Sequence, residues 1–229
     1  MGMPALPSLR RFLVPSVGHE GGQLRLGAKE SHHLLQVLRH GRGQELVVFD
    51  GVGHQATAVL TAVEDQIAIL TITNEPRLAI PDRATHLVLC IPKGNAMVNA
   101  IRMATEGGVT DIHPVTTKRT VPRGDKNERW SRVAAAAAQQ CGRSDVPRIF
   151  PLVEFEGAFT RLPSDRRIAL PGAELMPRAT SDVAVLVGPE GGFDDDEIGR
   201  ALASGFCPMG LGQWTLRTDT AAAAAVLLA

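Results

Sequence analysis

Two glycine-bearing segments gather the residues able to do chemistry. The first, Val183–Phe193 (VAVLVGPEGGF), is an apolar run with the length of a buried strand. It leads into Gly188-Pro189-Glu190-Gly191-Gly192 and then into Asp194-Asp195-Asp196-Glu197. Ligands of open α/β sheets sit at the carboxyl ends of strands, and glycines allow close backbone approach and unusual φ values. The charge selects the ligand: Glu190 and the acids behind it repel a di- or triphosphate and accept a cationic group, such as a sulfonium or an ammonium. The same residues also fit a plain tight turn before an acidic helix start, which the helix dipole favours. The second segment, Leu211-Gly212-Gln213-Trp214-Thr215-Leu216-Arg217-Thr218-Asp219-Thr220, again reads as strand, loop and helix. Thr218 or Asp219 suits the cap. Arg217 is a lone cation beside a glycine loop, placed to hold a phosphate or orient a substrate.

The elements that must position these loops follow from the hydrophobic pattern. After Asn74–Asp82 (NEPRLAIPD), strands and helices alternate. Strands are predicted at Leu87–Ile91, Asp111–Val115, Arg167–Leu170, Val183–Val187 and Phe206–Leu211. Helices are predicted at Ala96–Glu106, Glu128–Cys141, Asp195–Ser204 and Thr218–Ala229. That rhythm predicts an α/β fold with a parallel sheet covered on both faces. The first 75 residues differ: Glu45–Phe49, His54–Val63 and Gln66–Thr73 are short β-type runs separated by Asp50-Gly51 and Glu64-Asp65. One helix interrupts them, capped by Ser31, with an apolar side of Leu34, Leu35, Val37 and Leu38 and an end at Gly41. The chain therefore divides into a small β-rich, barrel-like domain at 1–75, a linker at 76–83 and an α/β domain at 84–229. Trp130, Val133, Ala134, Ala137 and Cys141 fall at helical spacing, which suits a core role for Trp130 as well as base stacking.

Several function classes drop out. With 44% hydrophobic and 21% charged residues the composition is globular, and no apolar run reaches the roughly 18 residues of a membrane span. Residues 1–11 do not resemble a signal peptide. The three cysteines lack C-x-x-C spacing and read as reduced thiols of a cytoplasmic protein. Gly51-Val52-Gly53-His54-Gln55-Ala56 fits a dinucleotide fingerprint, but a strand pattern follows it where a helix is required, so it is a hairpin turn. There is no P-loop and no G-x-S-x-G, and the histidines, His32-His33 included, show no metal-ligand spacing. The net charge of zero is segregated. Residues 1–45 carry six Lys/Arg against three acids, 91–149 ten against five, and 150–200 five against ten. Such blocks can give a neutral chain one basic face.

The ordered motifs resemble the RsmE family of the SPOUT methyltransferases. The matching stretches are Val187–Gly192 with Asp196-Glu197-Ile198, Leu211-Gly212 and Leu216–Ala221 (LRTDTA). Gln140-Cys141-Gly142-Arg143 with Val146-Pro147, and Thr105-Glu106-Gly107-Gly108-Val109 after Pro92-Lys93-Gly94, add to them. His33-Leu34 with Val37-Leu38-Arg39, and Phe49-Asp50-Gly51, resemble the family's PUA-like RNA-binding region. The resemblance implies methylation of N3 of a uridine in small-subunit ribosomal RNA, in an assembled 30S subunit, by a homodimer with a deep trefoil knot. It implies an S-adenosylmethionine site made of Leu170-Pro171-Gly172, Val187-Gly188-Pro189-Glu190-Gly191-Gly192, Leu211-Gly212, Leu216 and Thr218. Arg39, Lys93, Arg143 and Arg217 would face RNA or the target base. Met103, Gln139, Gly107 and Gln213-Trp214 depart from the family pattern, where a lysine, an acid, a leucine and Pro-Arg are usual. Those departures suit a rival reading, a non-catalytic RNA-binding or assembly factor on the same fold.

Uracil N3 carries a proton, so the site must align N3 with the methyl donor and stabilise negative charge on the ring. Arg217 is the candidate stabiliser; Glu190 is either a base or a brace for its own loop. Phosphate clamping is expected from Arg10, Arg11, Arg39 and Arg42, with Lys118, Arg119, Arg123, Lys126, Arg129 and Arg132 from the 118–132 loop.

Overall fold

The computed structural model describes residues 9–118 and 126–229. Contacts divide the chain into two units: one runs to Ile80 and takes in Ala138–Val146, and the other comprises Pro81–Ala137 and Pro147–Ala229.

The first unit is built on six strands: β1 (Arg11–Leu13), β2 (Gln23–Arg25), β3 (Glu45–Phe49), β4 (His54–Glu64), β5 (Ile67–Ile72) and β6 (Arg77–Leu78). Their order is β1-β3-β4-β5-β2, with β6 on β4; β1 and β3 are parallel and the other pairs antiparallel. Alternation drives this sheet: Leu46 and Val48 on β3 and Ala56, Ala58 and Leu60 on β4 point into the core, where Phe12, Leu34 and Leu70 meet them. The β4–β5 turn is Asp65-Gln66, both at positive φ (48° and 65°), as a primed hairpin turn requires. The expected turn at Glu64-Asp65 is thus displaced by one residue. The 76–83 linker contains β6, an edge strand on His54-Gln55.

Helix α1 (Ala28–His32) continues into one π-helical turn, His33–Val37. Ser31 does not cap it. The cap position is Gly27, and Ser31 is buried within the helix, its Oγ donating to the Leu26 carbonyl (3.4 Å) and accepting the Ala68 N–H (3.0 Å). That hydroxyl ties the helix to β5, and the expected cap gives way to it. The apolar side is also narrower than expected: Leu34 is fully buried, whereas Val37 is 60% exposed. Gly51-Val52-Gly53 forms the β3–β4 turn, with Asp50 accepting the Val52 and His54 N–H groups. Gly51 and Gly53 also pair with the 144–146 strip, through Val146 N–H to Gly51 O (2.8 Å) and Gly53 N–H to Ser144 O (3.1 Å).

The second unit holds a parallel sheet of β7 (Thr85–Cys90), β8 (Asp111–Thr116), β9 (Arg148–Ile149), β10 (Val153–Glu154), β11 (Asp165–Ala169), β12 (Val183–Val187) and β13 (Phe206–Met209). The order is β10-β8-β7-β12-β11-β13, with β9 also on β8. Every residue of β12 is buried, the continuous apolar pattern of a strand covered on both faces. On one face, α5 (Thr218–Leu228) packs on β7, β12 and α2 (Ala96–Glu106). On the other, a 3₁₀ helix (Phe155–Arg161) and α4 (Asp195–Ala203) close a core of Val88, Cys90, Val115, Ala184 and Leu186. Helix α3 (Asn127–Cys141) buries Trp130, so the core role holds for that side chain. No helix among the described residues is long and apolar enough to cross a membrane.

A polar layer interrupts the sheet between β7 and β8. His86 Nδ1 lies 3.1 Å from His113 Nε2, the His113 ring stacks on Phe150 (4.2 Å), and Arg148 pairs with buried Asp111 (2.7 Å). Burial, with His86 as a further cause, pushes His113 down from 6.5 to about 4. The folded chain therefore keeps this ring neutral where the unfolded chain protonates it. The stabilisation is present above pH 6.5 and lost as the pH falls towards 4. The urea midpoint of the second unit should fall across that window, and His113→Phe should flatten the slope.

Candidate functional site

Strand β12 delivers its carboxyl end into Gly188–Gly192. A Cβ at Gly188 would lie 3.0 Å from the Phe193 ring, so a side chain there would require the ring to give by a few tenths of an ångström. Gly192, at φ 66°, donates its N–H to the Pro189 carbonyl (2.8 Å) and closes the turn. Both Glu190 carboxylate oxygens accept the Lys93 N–H, at 3.2 Å each. Lys93 lies just past β7, so Glu190 braces its turn against the neighbouring strand's loop.

The loop after β11 is held by Leu170 N–H to Met209 O (3.1 Å) and by Gly210 N–H to Glu174 O (2.7 Å). A Cβ at Gly210 would fall 2.1 Å from the Ala173 carbonyl oxygen, so the 170–174 loop can lie there only against glycine. After β13 the chain turns through Gly212, at φ 124°, and enters α5 at Thr218. The cap position is Arg217, without a side-chain cap bond, so the expected capping by Thr218 or Asp219 is not made. Asp219 is buried and instead accepts Asn99 Nδ2–H (3.4 Å) and the Thr220 N–H (3.0 Å).

These three strand ends enclose a cavity of about 290 Å³, near the lower end of small-molecule sites. Of the residues expected to form one site, Leu170, Pro171, Val187, Gly188, Pro189, Glu190, Gly192, Leu211, Gly212, Leu216 and Thr218 line it; Gly172 and Gly191 do not. Trp214 and Thr215, within the expected Leu211–Leu216 loop, also line it, and Ala169, Phe193, Ile198 and Ala221 complete the wall without having been expected there. Helical spacing held the signal for one of them: Ala221 lies one turn beyond Thr218. The lining is glycines and apolar residues with two threonines, Thr215 and Thr218, one carboxylate, Glu190, and no Lys, Arg or His. It offers no cation to a polyphosphate.

The acidic cluster plays another part than expected. Asp194 caps α4 and Glu197 completes the capping box: Asp194 Oδ1 accepts the Glu197 N–H (2.7 Å) and Glu197 Oε2 the Asp194 N–H (3.0 Å). Buried Glu197 also accepts the Lys118 N–H (3.2 Å). Asp194 and Asp196 pair with Lys118 Nζ, at 3.5 and 3.1 Å. The charge reading thus narrows from the whole cluster to Glu190, because the other acids serve the helix start.

The expected phosphate contacts divide. Lys118 is held in those ion pairs. Arg11 is turned inward over Phe49, with Nη1 donating to Gln55 Oε1 (3.0 Å) and Nη2 to Ser144 Oγ (2.9 Å) and the Arg143 carbonyl (3.1 Å). Its burial lowers its pKa. Arg143 pairs with Asp145 and is largely covered. Arg11 and Arg143 are therefore held by partners within this fold, whereas Lys118 keeps a 60% exposed side chain at the surface beside Asp194 and Asp196. Arg10, Arg39, Arg42 and Lys93 are exposed. Arg119 and Arg123 lie outside the described residues. The Arg217 side chain is 84% exposed, 3.8 Å from Asp219, and does not line the cavity. Among the described residues no cluster of three or more His, Cys, Asp or Glu side chains could hold a metal.

Comparison with known proteins places this geometry. Residues 80–229 match the family described as RNA methyltransferase domain, and residues 26–73 that described as RNA methyltransferase PUA domain. The ribosomal RNA small subunit methyltransferase E of Synechocystis is 32% identical over 211 residues, covering 86% of this chain and 69% of that protein. The Bacillus subtilis protein of the same name is 27% identical, covering 88% and 87%. Among solved structures, the Neisseria gonorrhoeae ribosomal RNA small subunit methyltransferase E bound to S-adenosylmethionine superposes with a TM-score of 0.87. It is 30% identical, with 95% of each chain covered. A Legionella pneumophila methyltransferase with the same bound cofactor gives 0.85 at 29% identity and 95% of each chain.

The buried box makes one requirement. Glu197→Ala leaves the Asp194 and Lys118 amides without their acceptor and should cost about 1–3 kcal/mol in urea unfolding. Glu197→Gln, which keeps an acceptor oxygen, should cost less.

Proposed function

The chain belongs to the ribosomal RNA small subunit methyltransferase E family, and we propose that it methylates N3 of a uridine in small-subunit ribosomal RNA. It is an S-adenosylmethionine-dependent methyltransferase. One observation carries the assignment of its site: the cavity at the ends of β11, β12 and β13 is lined by glycines, apolar residues and two threonines, with Glu190 its one charged residue.

The cavity fits S-adenosylmethionine. Gly188 keeps the turn free of a side chain, and a sulfonium is tolerated beside Glu190 where a phosphate is not. Leu170, Pro171, Val187, Gly188, Pro189, Gly192, Leu211, Gly212, Leu216 and Thr218 would hold it. Gly172 and Gly191 shape two of the loops from outside the wall. The bound cofactor supplies an electrophilic methyl group.

The chain's own residues do the rest. Glu190 acts as a brace, because both its oxygens face the Lys93 amide. Arg217, exposed at the end of the third loop, stabilises the negative charge left on the uracil ring when its N3 proton is lost to solvent. Arg10, Arg39 and Arg42 of the PUA-like unit and Lys93 of the methyltransferase unit contact RNA phosphates. Family membership supports the finer reading: a deep trefoil knot in the second unit, a homodimer, a 30S substrate and a cytoplasmic location.

Purified protein should transfer label from S-adenosylmethionine to N3 of a single uridine in small-subunit RNA, mapped by mass spectrometry. Arg217→Ala should lower kcat about 10²–10³-fold with cofactor affinity unchanged. Full activity in that variant would remove Arg217 from the reaction.

A further inference from the structure

The two tryptophans of the chain lie in opposite environments. Trp130 is 4% exposed in the core of its helix face, whereas Trp214 is 75% exposed and lies on the wall of the cavity. An indole left in water forgoes apolar burial, and tryptophan is enriched at interfaces, where a partner covers it. The loop presenting it is anchored on both sides. Gly212 takes φ 124° before it, and Leu216, half-buried, and Thr218, buried, follow it. Its chain neighbours Gln213 and Thr215 are polar and exposed, so the ring stands alone on a polar turn. That suits one planar ligand better than an extended apolar protein surface. Arg217 projects into solvent three residues on.

We infer that Trp214 is the stacking platform for the unpaired base that receives the methyl group, holding its ring at the mouth of the cavity beside Arg217. This rests on the methyltransferase reading above. A substrate base must bring its acceptor atom to the methyl donor from the open side of the cavity, and among the lining residues Trp214 is the large apolar side chain left exposed. Stacking reads the π-face of any base. Trp214 therefore supplies orientation, while base identity is read elsewhere.

Kinetics with small-subunit RNA provide the first test. Trp214→Ala should raise the KM for RNA between about fivefold and a hundredfold, the range that base–aromatic stacking supplies. Trp214→Phe should restore it to within a few-fold, and the Kd for S-adenosylmethionine should not change. An unchanged KM, or a loss confined to cofactor affinity, overturns the inference; the latter would place the ring on the cofactor. Fluorescence gives a reading independent of turnover. In Trp130→Phe protein, Trp214 should be quenched by a uridine-containing RNA oligonucleotide and not by the same strand with an abasic site. A blue shift that grows with protein concentration without RNA would show a second copy covering the ring and would overturn the proposal. Absence of methyl transfer by the wild-type protein would sink the functional reading separately, since the quenching is read either way.

Discussion

The site depends on the contact between the backbone at residue 188 and the ring of Phe193. With a Cβ-to-ring spacing of 3.0 Å, no side chain fits at 188 without the ring moving. The ring in turn packs against Phe155 beneath the sheet, at 5.9 Å between centroids. The turn after β12 is thereby pressed onto the core, and Glu190 hooks its outer end to the Lys93 amide. A second close approach, Gly210 under the Ala173 carbonyl, fixes the loop after β11 in the same way. Two glycines and one carboxylate convert three flexible connections into a wall of fixed shape.

Electrostatics then decide what enters. The acids from Asp194 to Glu197 invite the idea of a broad negative field, yet three of them serve the start of α4 and the tether to Lys118. What remains on the wall is one carboxylate with no basic partner there. A single unopposed carboxylate in a largely apolar cleft discriminates by sign more sharply than a cluster already paired. The basic side chains follow the same logic in reverse. Arg11 is turned into the first unit by Gln55, Ser144 and the Arg143 carbonyl, so its charge fastens the 143–145 strip to β1 and β4, while Arg143 pairs within the strip with Asp145.

The fold was largely legible because burial writes itself as periodicity. Val183–Val187 is apolar throughout and is the strand covered on both faces. The site was legible because glycines and a carboxylate mark the ends of such strands, and most of the expected lining residues meet in one cavity. What the sequence hides is pairing across distance. Ser31 has the residue type of a cap, and only the fold reveals that its hydroxyl serves Leu26 and Ala68 instead. Arg11 and Lys118 look like free cations until the long-range contacts to Ser144, Asp194 and Asp196 are in place. Short edge strands such as Arg77–Leu78 carry too few residues to show a period. The return of Ala138–Val146 to the first unit has no local signature at all.

The role of Glu190 separates a shaped, braced wall from acid–base chemistry. Single-turnover methyl transfer by Glu190→Gln, measured across pH at saturating and limiting S-adenosylmethionine, tests it most directly. Gln keeps one oxygen for the Lys93 amide and cannot take a proton at neutral pH. Cofactor affinity should therefore weaken several-fold, with the saturated rate within about tenfold of wild type and the pH profile unchanged. A saturated rate reduced by the 10²–10⁴-fold typical of a lost general base, at unaltered cofactor affinity, would contradict the account.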